Sequence, residues 1–193
     1  MDEELITQAE EFVKQSFTEN PHFSFGHWSV MYDHSVTVKN IALKIAEQVE
    51  CDKMLIALGA LLHDIGKTQK ADENTLHYDH EKFNLPISRF FIDSLNLSAS
   101  KKRSLKELIS YASDSVEMKV IKDADALALY ADKRLYMLYI EWAIKNGLST
   151  SIQRKIDKFD KLRFPISKKI GEKWFEIMKR DWNLYMRDHN ISA

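Results

Sequence analysis

Apolar residues recur along this chain at spacings of three and four, and no stretch alternates convincingly with period two, so the pattern predicts helices nearly everywhere. Residues Glu3 to Phe17 read as an acidic amphipathic helix ended by Asn20-Pro21. Phe23-Ser24-Phe25-Gly26-His27-Trp28 then forms a loop rich in aromatics. Ser29 is placed to cap a helix running to about Glu50, with Val38, Ile41, Ala42, Ile45 and Val49 on one face. Asp52 is placed to cap the next helix, which is apolar almost all round from Leu55 to Leu62. A helix of that kind belongs in the middle of a core.

That central helix ends in Leu62-His63-Asp64-Ile65-Gly66-Lys67, where Gly66 reads as a helix stop. The polar stretch Lys67 to Asp79 is the longest predicted loop, and long loops carry function disproportionately. Pro86 fits the first turn of a helix through Leu95, with Asn84 as its cap. Ser98 starts a helix through about Ala112, and from Ser115 the pattern is helical for most of the way to Lys145, stopped by Asn146-Gly147. Ser149 or Thr150 opens another helix, and Pro165 marks a boundary. A last long helix carries Ile170, Trp174, Ile177, Met178, Trp182 and Tyr185. The expectation is an all-α, single-domain helical bundle over residues 1–193.

Five glycines and three prolines are few for 193 residues, consistent with long helices. Cys51 stands alone, so no internal disulfide can form, and a reducing compartment is expected. The start Met1-Asp2-Glu3-Glu4 is the opposite of a basic signal peptide, and no apolar run approaches spanning length. A cytoplasmic protein without membrane partners is therefore expected. A net charge of -1 argues against a protein dedicated to nucleic acid. From Gln153 onward, however, lysines and arginines outnumber acids eleven to six, and some could form a basic rim for an anionic substrate. The helix from Gly171 carries aromatics with basic neighbours, which serve either as core or as a homodimer contact.

His34 shares a helix with Val38 and Ile41 at spacings of four and seven and so points toward the core side. His63 ends the central helix, and Asp125 sits within the apolar run Val120, Ile121, Ala124, Leu127 and Ala128. With Asp64, these groups could converge as two imidazoles and two carboxylates. A neighbouring imidazole and carboxylate are costly to bury unless something binds both. This nitrogen and oxygen set, without thiolate, suits one divalent transition ion, Mn²⁺, Fe²⁺, Co²⁺, Ni²⁺ or Zn²⁺, and admits Mg²⁺. Such an ion polarises a phosphoryl group and lowers the pKa of its bound water, which points to phosphoester or phosphoanhydride hydrolysis. Each residue taken alone is more often a satisfied core or surface group; the combination carries the reading. Asp123 and Asp125 project about 200° apart on a helix, so at most one faces the site.

The pattern His34…His63-Asp64…Asp125 resembles the HD superfamily of metal-dependent phosphohydrolases. His34-Ser35-Val36-Thr37-Val38 is similar to that family's first histidine segment, Ala60 to Lys67 to its namesake segment, and Lys122-Asp123-Ala124-Asp125 to its final aspartate motif. The tail, with Lys158-Phe159-Asp160-Lys161-Leu162, resembles that of a small bacterial branch whose members hydrolyse nucleotides. The resemblance implies a helical fold and one divalent metal held by His34, His63, Asp64 and Asp125. It also implies a water nucleophile oriented by Asp64 and a small phosphorylated substrate, a nucleotide first among them.

The chain departs from the family where a basic residue often follows the final aspartate; here the run is Asp125-Ala126-Leu127-Ala128. Lys67 remains a candidate phosphate contact, with Lys70 and Arg89 behind it. His77 and His80 resemble the histidines that follow the metal motif in some tRNA nucleotidyltransferases, and His80 is the candidate for catalysis, as phosphate ligand or general acid. His27 and Trp28 could line the mouth of the site, although packing explains them equally. Two alternatives stand beside the hydrolase. One is a diiron oxygenase of HD type, opposed by the lack of any histidine between His80 and His189. The other is a metal-stabilised regulatory module that binds a nucleotide without turnover, motivated by the missing basic residue.

Overall fold

The computed structural model describes residues 2–23, 25 and 27–189, with the backbone alone at Ser149; Met1, Ser24 and Gly26 lie outside the described residues. Ten α-helices and one short 3₁₀ turn account for its regular structure, and no strand occurs among the described residues. None of these helices is long and apolar enough to cross a membrane. The chain divides into two compact units, Met1–Lys122 and Asp123–Ala193.

The first unit is built around α3 (Lys53–Leu62). Every residue from Leu55 to Leu62 is buried, as the unbroken apolar sequence requires, and the Asp52 carboxylate accepts from the N–H groups of Met54 and Leu55. Burying each large aliphatic side chain contributes about 1.5–3 kcal/mol. Around α3 pack α1 (Glu3–Glu19), α2 (Trp28–Ala46) and α6 (Ala99–Ile109), with Leu5, Ala9, Val13 and Phe17 forming the inner stripe of α1.

Several boundaries differ from the sequence pattern, each for a local reason. The cap of α2 is His27, whose Nδ1 accepts from the Ser29 N–H, and the helix stops at Ala46, leaving Val49 half-buried beyond it. The stretch expected as a long loop holds a short helix, α4 (Glu73–Tyr78), capped by Asp72, which accepts from the Thr75 N–H and hydroxyl. Asn84 is not a cap. The next helix, α5 (Glu81–Ser94), begins three residues before it, so Pro86 lies inside the helix rather than in its first turn. Gly66 does not stop α3 either. That helix ends at Leu62, and the chain turns through His63 and Asp64 into a 3₁₀ turn, Ile65–Thr68. There the absence of a Cβ at Gly66 lets the turn approach α5, because a methyl group would overlap the His80 carbonyl oxygen.

Helix α7 (Val116–Ala131) begins in the first unit and carries the chain into the second. It ends at Ala131, and Asp132 caps α8 (Lys133–Lys145) by accepting from the Leu135 N–H, so the helical stretch expected from Ser115 to Lys145 is two helices. Gly147 has φ +69°, as a left-handed stop requires. Helices α9 (Ser149–Asp157) and α10 (Pro165–Asp188) complete the second unit. Phe175, Met178 and Trp182 of α10 are buried there. The Trp182 indole donates to the Tyr136 carbonyl at 2.9 Å, and Phe175 stacks on Phe159.

Candidate metal centre

Within the first unit, three helices and one turn bring polar side chains to a single carboxylate. His34 lies on the buried face of α2 with Val30, Val38 and Ile41. His63 is the C-terminal cap residue of α3, and Asp64 follows with φ -112° and ψ 7°, in the bridge region where active-site residues often sit. Asp64 is 3% exposed. Its Oδ2 lies 2.6 Å from Lys67 Nζ, 3.5 Å from His63 Nε2 and 3.6 Å from His34 Nε2. Its Oδ1 lies 2.7 Å from Nε2 of His80, the residue that opens α5. The rings of His34 and His63 are 5.3 Å apart.

The tautomer of His63 follows from its surroundings. Its Nδ1 lies 2.7 Å from the Ala60 carbonyl oxygen, which can only accept, so Nδ1 carries the proton. In the neutral ring, Nε2 then presents its lone pair toward Asp64 Oδ2. Two acceptors facing each other at that distance repel unless a cation lies between them. An imidazole whose other nitrogen is held by a backbone carbonyl is the usual arrangement of a metal-binding histidine. Burial alone raises the Asp64 pKa, but the His63 ring in its protonated form, the Lys67 ammonium and the His80 N–H outweigh it and hold the carboxyl well below its ordinary range. The group is a buried carboxylate, as a metal ligand must be.

His34, His63 and Asp64 gather two imidazoles and a carboxylate within the first unit, and that donor chemistry fits one of the expected divalent ions. Asp125 lies on α7, half-buried, with Lys158 Nζ 3.7 Å from its carboxylate. Asp123, two residues earlier, does different work. It is 1% exposed and accepts from the backbone N–H groups of Arg163 and Phe164 at 2.9 and 3.1 Å, fixing the chain where it enters α10.

The remaining candidates separate clearly. Lys67 stands beside Asp64 with its ammonium over the Phe23 ring at 5.6 Å. His80 joins Asp64, whereas His77 packs against Phe23 and Tyr78. Lys70 and Arg89 are exposed. His27 caps α2, and Trp28 packs beside Tyr32. Sequence reasoning missed Asn84, buried completely under the His63-Asp64 turn, and nothing in its local sequence marks it.

The profile of the HD domain matches residues 31–130, just over half of the chain and the whole span from His34 to Asp125. The chain belongs to the HD-domain family. Solved HD structures share its all-α fold. A HD-superfamily hydrolase from Bacillus thuringiensis superposes with a TM-score of 0.70 at 17% identity, covering 100% of both chains. YpgQ from Bacillus subtilis, solved in complex with ADP, gives 0.66 at 18% identity over 96% of this chain and 95% of that one. A predicted HD superfamily hydrolase from an uncultured Thermotogales bacterium gives 0.62 at 16%, covering 94% of this chain and 91% of that one. A stretch of 36 residues is also 50% identical to the tRNA (cytidine(56)-2'-O)-methyltransferase of Picrophilus torridus, covering 19% of this chain and 11% of that protein. The corresponding protein of Thermoplasma volcanium is 40% identical over 47 residues, which are 24% of this chain and 14% of that protein. The chain thus spans only a small part of the curated relatives it matches.

Proposed function

We propose that this HD protein is a metal-dependent phosphohydrolase that cleaves a phosphoester or phosphoanhydride of a nucleotide or a similar small phosphorylated compound. The observation that carries the reading is the placing of Nε2 of His63 and Nε2 of His34 at 3.5 and 3.6 Å from one oxygen of the buried Asp64 carboxylate. His34, His63, Asp64 and Asp125 would hold one divalent ion. Bound there, it would polarise the phosphoryl group and lower the pKa of a water. YpgQ, of like fold, was solved with ADP, which supports a nucleotide as the first substrate class to test.

The protein's own groups take the remaining roles. Asp64 orients the attacking water and takes its proton as the oxygen bonds to phosphorus. His80 holds Oδ1 of Asp64, so that Oδ2 is the oxygen turned to both imidazoles. As the phosphorus–oxygen bond breaks, His80 gives its Nε2 proton to the leaving oxygen and takes back, across their hydrogen bond, the proton that Asp64 received from the water. Lys67 neutralises the phosphate, and its place over Phe23 keeps the ammonium beside Asp64.

The test is phosphate or pyrophosphate release from a panel of nucleotides with Mn²⁺, comparing the native protein with Asp64→Ala. Release by the native protein alone supports the hydrolase. Tight nucleotide binding with no product under any divalent metal would replace it by the binding module, and a protein isolated with two irons and an iron-dependent absorption band by the oxygenase.

A further inference from the structure

We propose that Asn84 is the positioning residue of the metal centre, gripping the backbone on both sides of Asp64 while His80, on the same helix, grips its side chain. The inference rests on the metal-site reading above. Asn84 is fully buried in α5, and its carboxamide is used to capacity. Oδ1 accepts from the Gly66 N–H at 2.7 Å, and Nδ2 donates to the carbonyl oxygens of His63 at 2.6 Å and Ile109 at 2.9 Å. A flipped amide would set its NH₂ against an N–H and its oxygen against two carbonyls, so the orientation is fixed by its partners.

Two of those bonds bracket Asp64. The His63 carbonyl precedes it, and the Gly66 N–H follows two residues later. Together they determine how the peptide planes enter and leave the bridge-region conformation at Asp64, and hence where its carboxylate points. The third bond ties the same amide to the end of α6, so the turn is referenced to the core rather than only to α5. His80 lies four residues before Asn84, on the same face of the helix start, and bonds Asp64 Oδ1. Gly66 makes this approach feasible, since a Cβ there would lie 2.8 Å from Asn84 Oδ1 and overlap the His80 carbonyl. No shorter polar side chain spans three backbone groups in this way, and an aspartate would face two carbonyls with an acceptor.

The experiment is calorimetric titration with Mn²⁺ alone, on the native chain, Asn84→Ala and Ser88→Ala. Ser88 is the control because it is equally buried one turn on and bonds only the Asn84 carbonyl, without touching the His63-Asp64 turn. Both variants should lower the Tm. Loss of an outer-shell partner typically weakens metal binding about 10–100-fold, so Asn84→Ala should raise the Mn²⁺ Kd by that much while Ser88→Ala stays within about twofold. Equal Kd changes in the two variants would make Asn84 merely structural and overturn the proposal. If Asn84→Ala does not fold, Asn84→Ser is judged by the same comparison. A native chain that binds no Mn²⁺ would instead sink the metal-site reading itself, and the role of Asn84 with it.

Discussion

Nδ1 of His63 lies 2.7 Å from the carbonyl oxygen of Ala60, one turn earlier in the same helix. That carbonyl belongs to the end of α3, where no following turn supplies an N–H, so the imidazole satisfies a helix terminus and fixes its own tautomer in one contact. The helix end thereby aims Nε2 at Asp64.

From this follows a division of labour among the acidic and imidazole groups. Replacing His34, His63, Asp64 or Asp125 by Ala should each remove most of the bound metal, measured by elemental analysis after dialysis. Asp123→Ala should keep the metal and lose stability, about 1–3 kcal/mol, because the buried N–H groups of Arg163 and Phe164 lose their acceptor. Metal lost by Asp123→Ala and retained by Asp125→Ala would reverse these assignments.

Gly66→Ala tests the close approach of the turn to α5. The new methyl group meets backbone on one side and the Asn84 carboxamide on the other, neither of which can swing away. Overpacking of this kind costs roughly 1–3 kcal/mol, read as a lower urea midpoint. Weaker Mn²⁺ binding should accompany it. A variant with unchanged midpoint and affinity would mean that the turn has room the structure does not show.

Much of this was legible in the sequence, and the failures share one cause. The inward face of α2, the all-round apolar α3 and the caps Asp52 and Ser98 follow from residues within a turn or two of each other. The spacing of Asp123 and Asp125 allows at most one of them to face the site, and Asp123 is taken up by the N–H groups of Arg163 and Phe164. Asn84 was misread because Pro86 suggested a first turn, and its real partners, at Gly66, His63 and Ile109, are 18 to 25 residues away. His80 is singled out over His77 through a resemblance alone, and the element that brings it to Asp64 is not legible in the sequence. Only the placement of α4 and α5 decides which of two loop histidines meets Asp64. No local pattern encodes those pairings.

Lys67 is expected to oppose the metal while serving the substrate. Its ammonium lies on Asp64 Oδ2, the oxygen nearest both imidazoles, and so competes with any cation there. Lys67→Met should therefore bind Mn²⁺ at least as tightly as the native chain. A charged hydrogen bond contributes about 1.5–3 kcal/mol, so losing the phosphate contact should lower kcat/KM about 10–100-fold. Loss of metal from Lys67→Met would show that the lysine supports the site rather than the substrate.

Acid sensitivity in the second unit should trace to Asp181. Its carboxylate accepts from Lys133 at 3.0 Å and from the Tyr136 hydroxyl at 2.8 Å, and these partners hold its pKa down at about 2. In the unfolded chain the value returns to about 3.9. A carboxyl with a depressed folded pKa stabilises fully above the unfolded value and loses that contribution as the pH falls toward the folded one. The window is therefore from about pH 5 down to about pH 2. Asp181→Asn removes the titration while keeping an acceptor for both donors. Its Tm should lie below that of the native chain at neutral pH, and the gap should close as the pH falls through this window. A gap that stays constant down to the acid end would assign the stabilisation to shape and hydrogen bonding alone, with no part for the charge on Asp181.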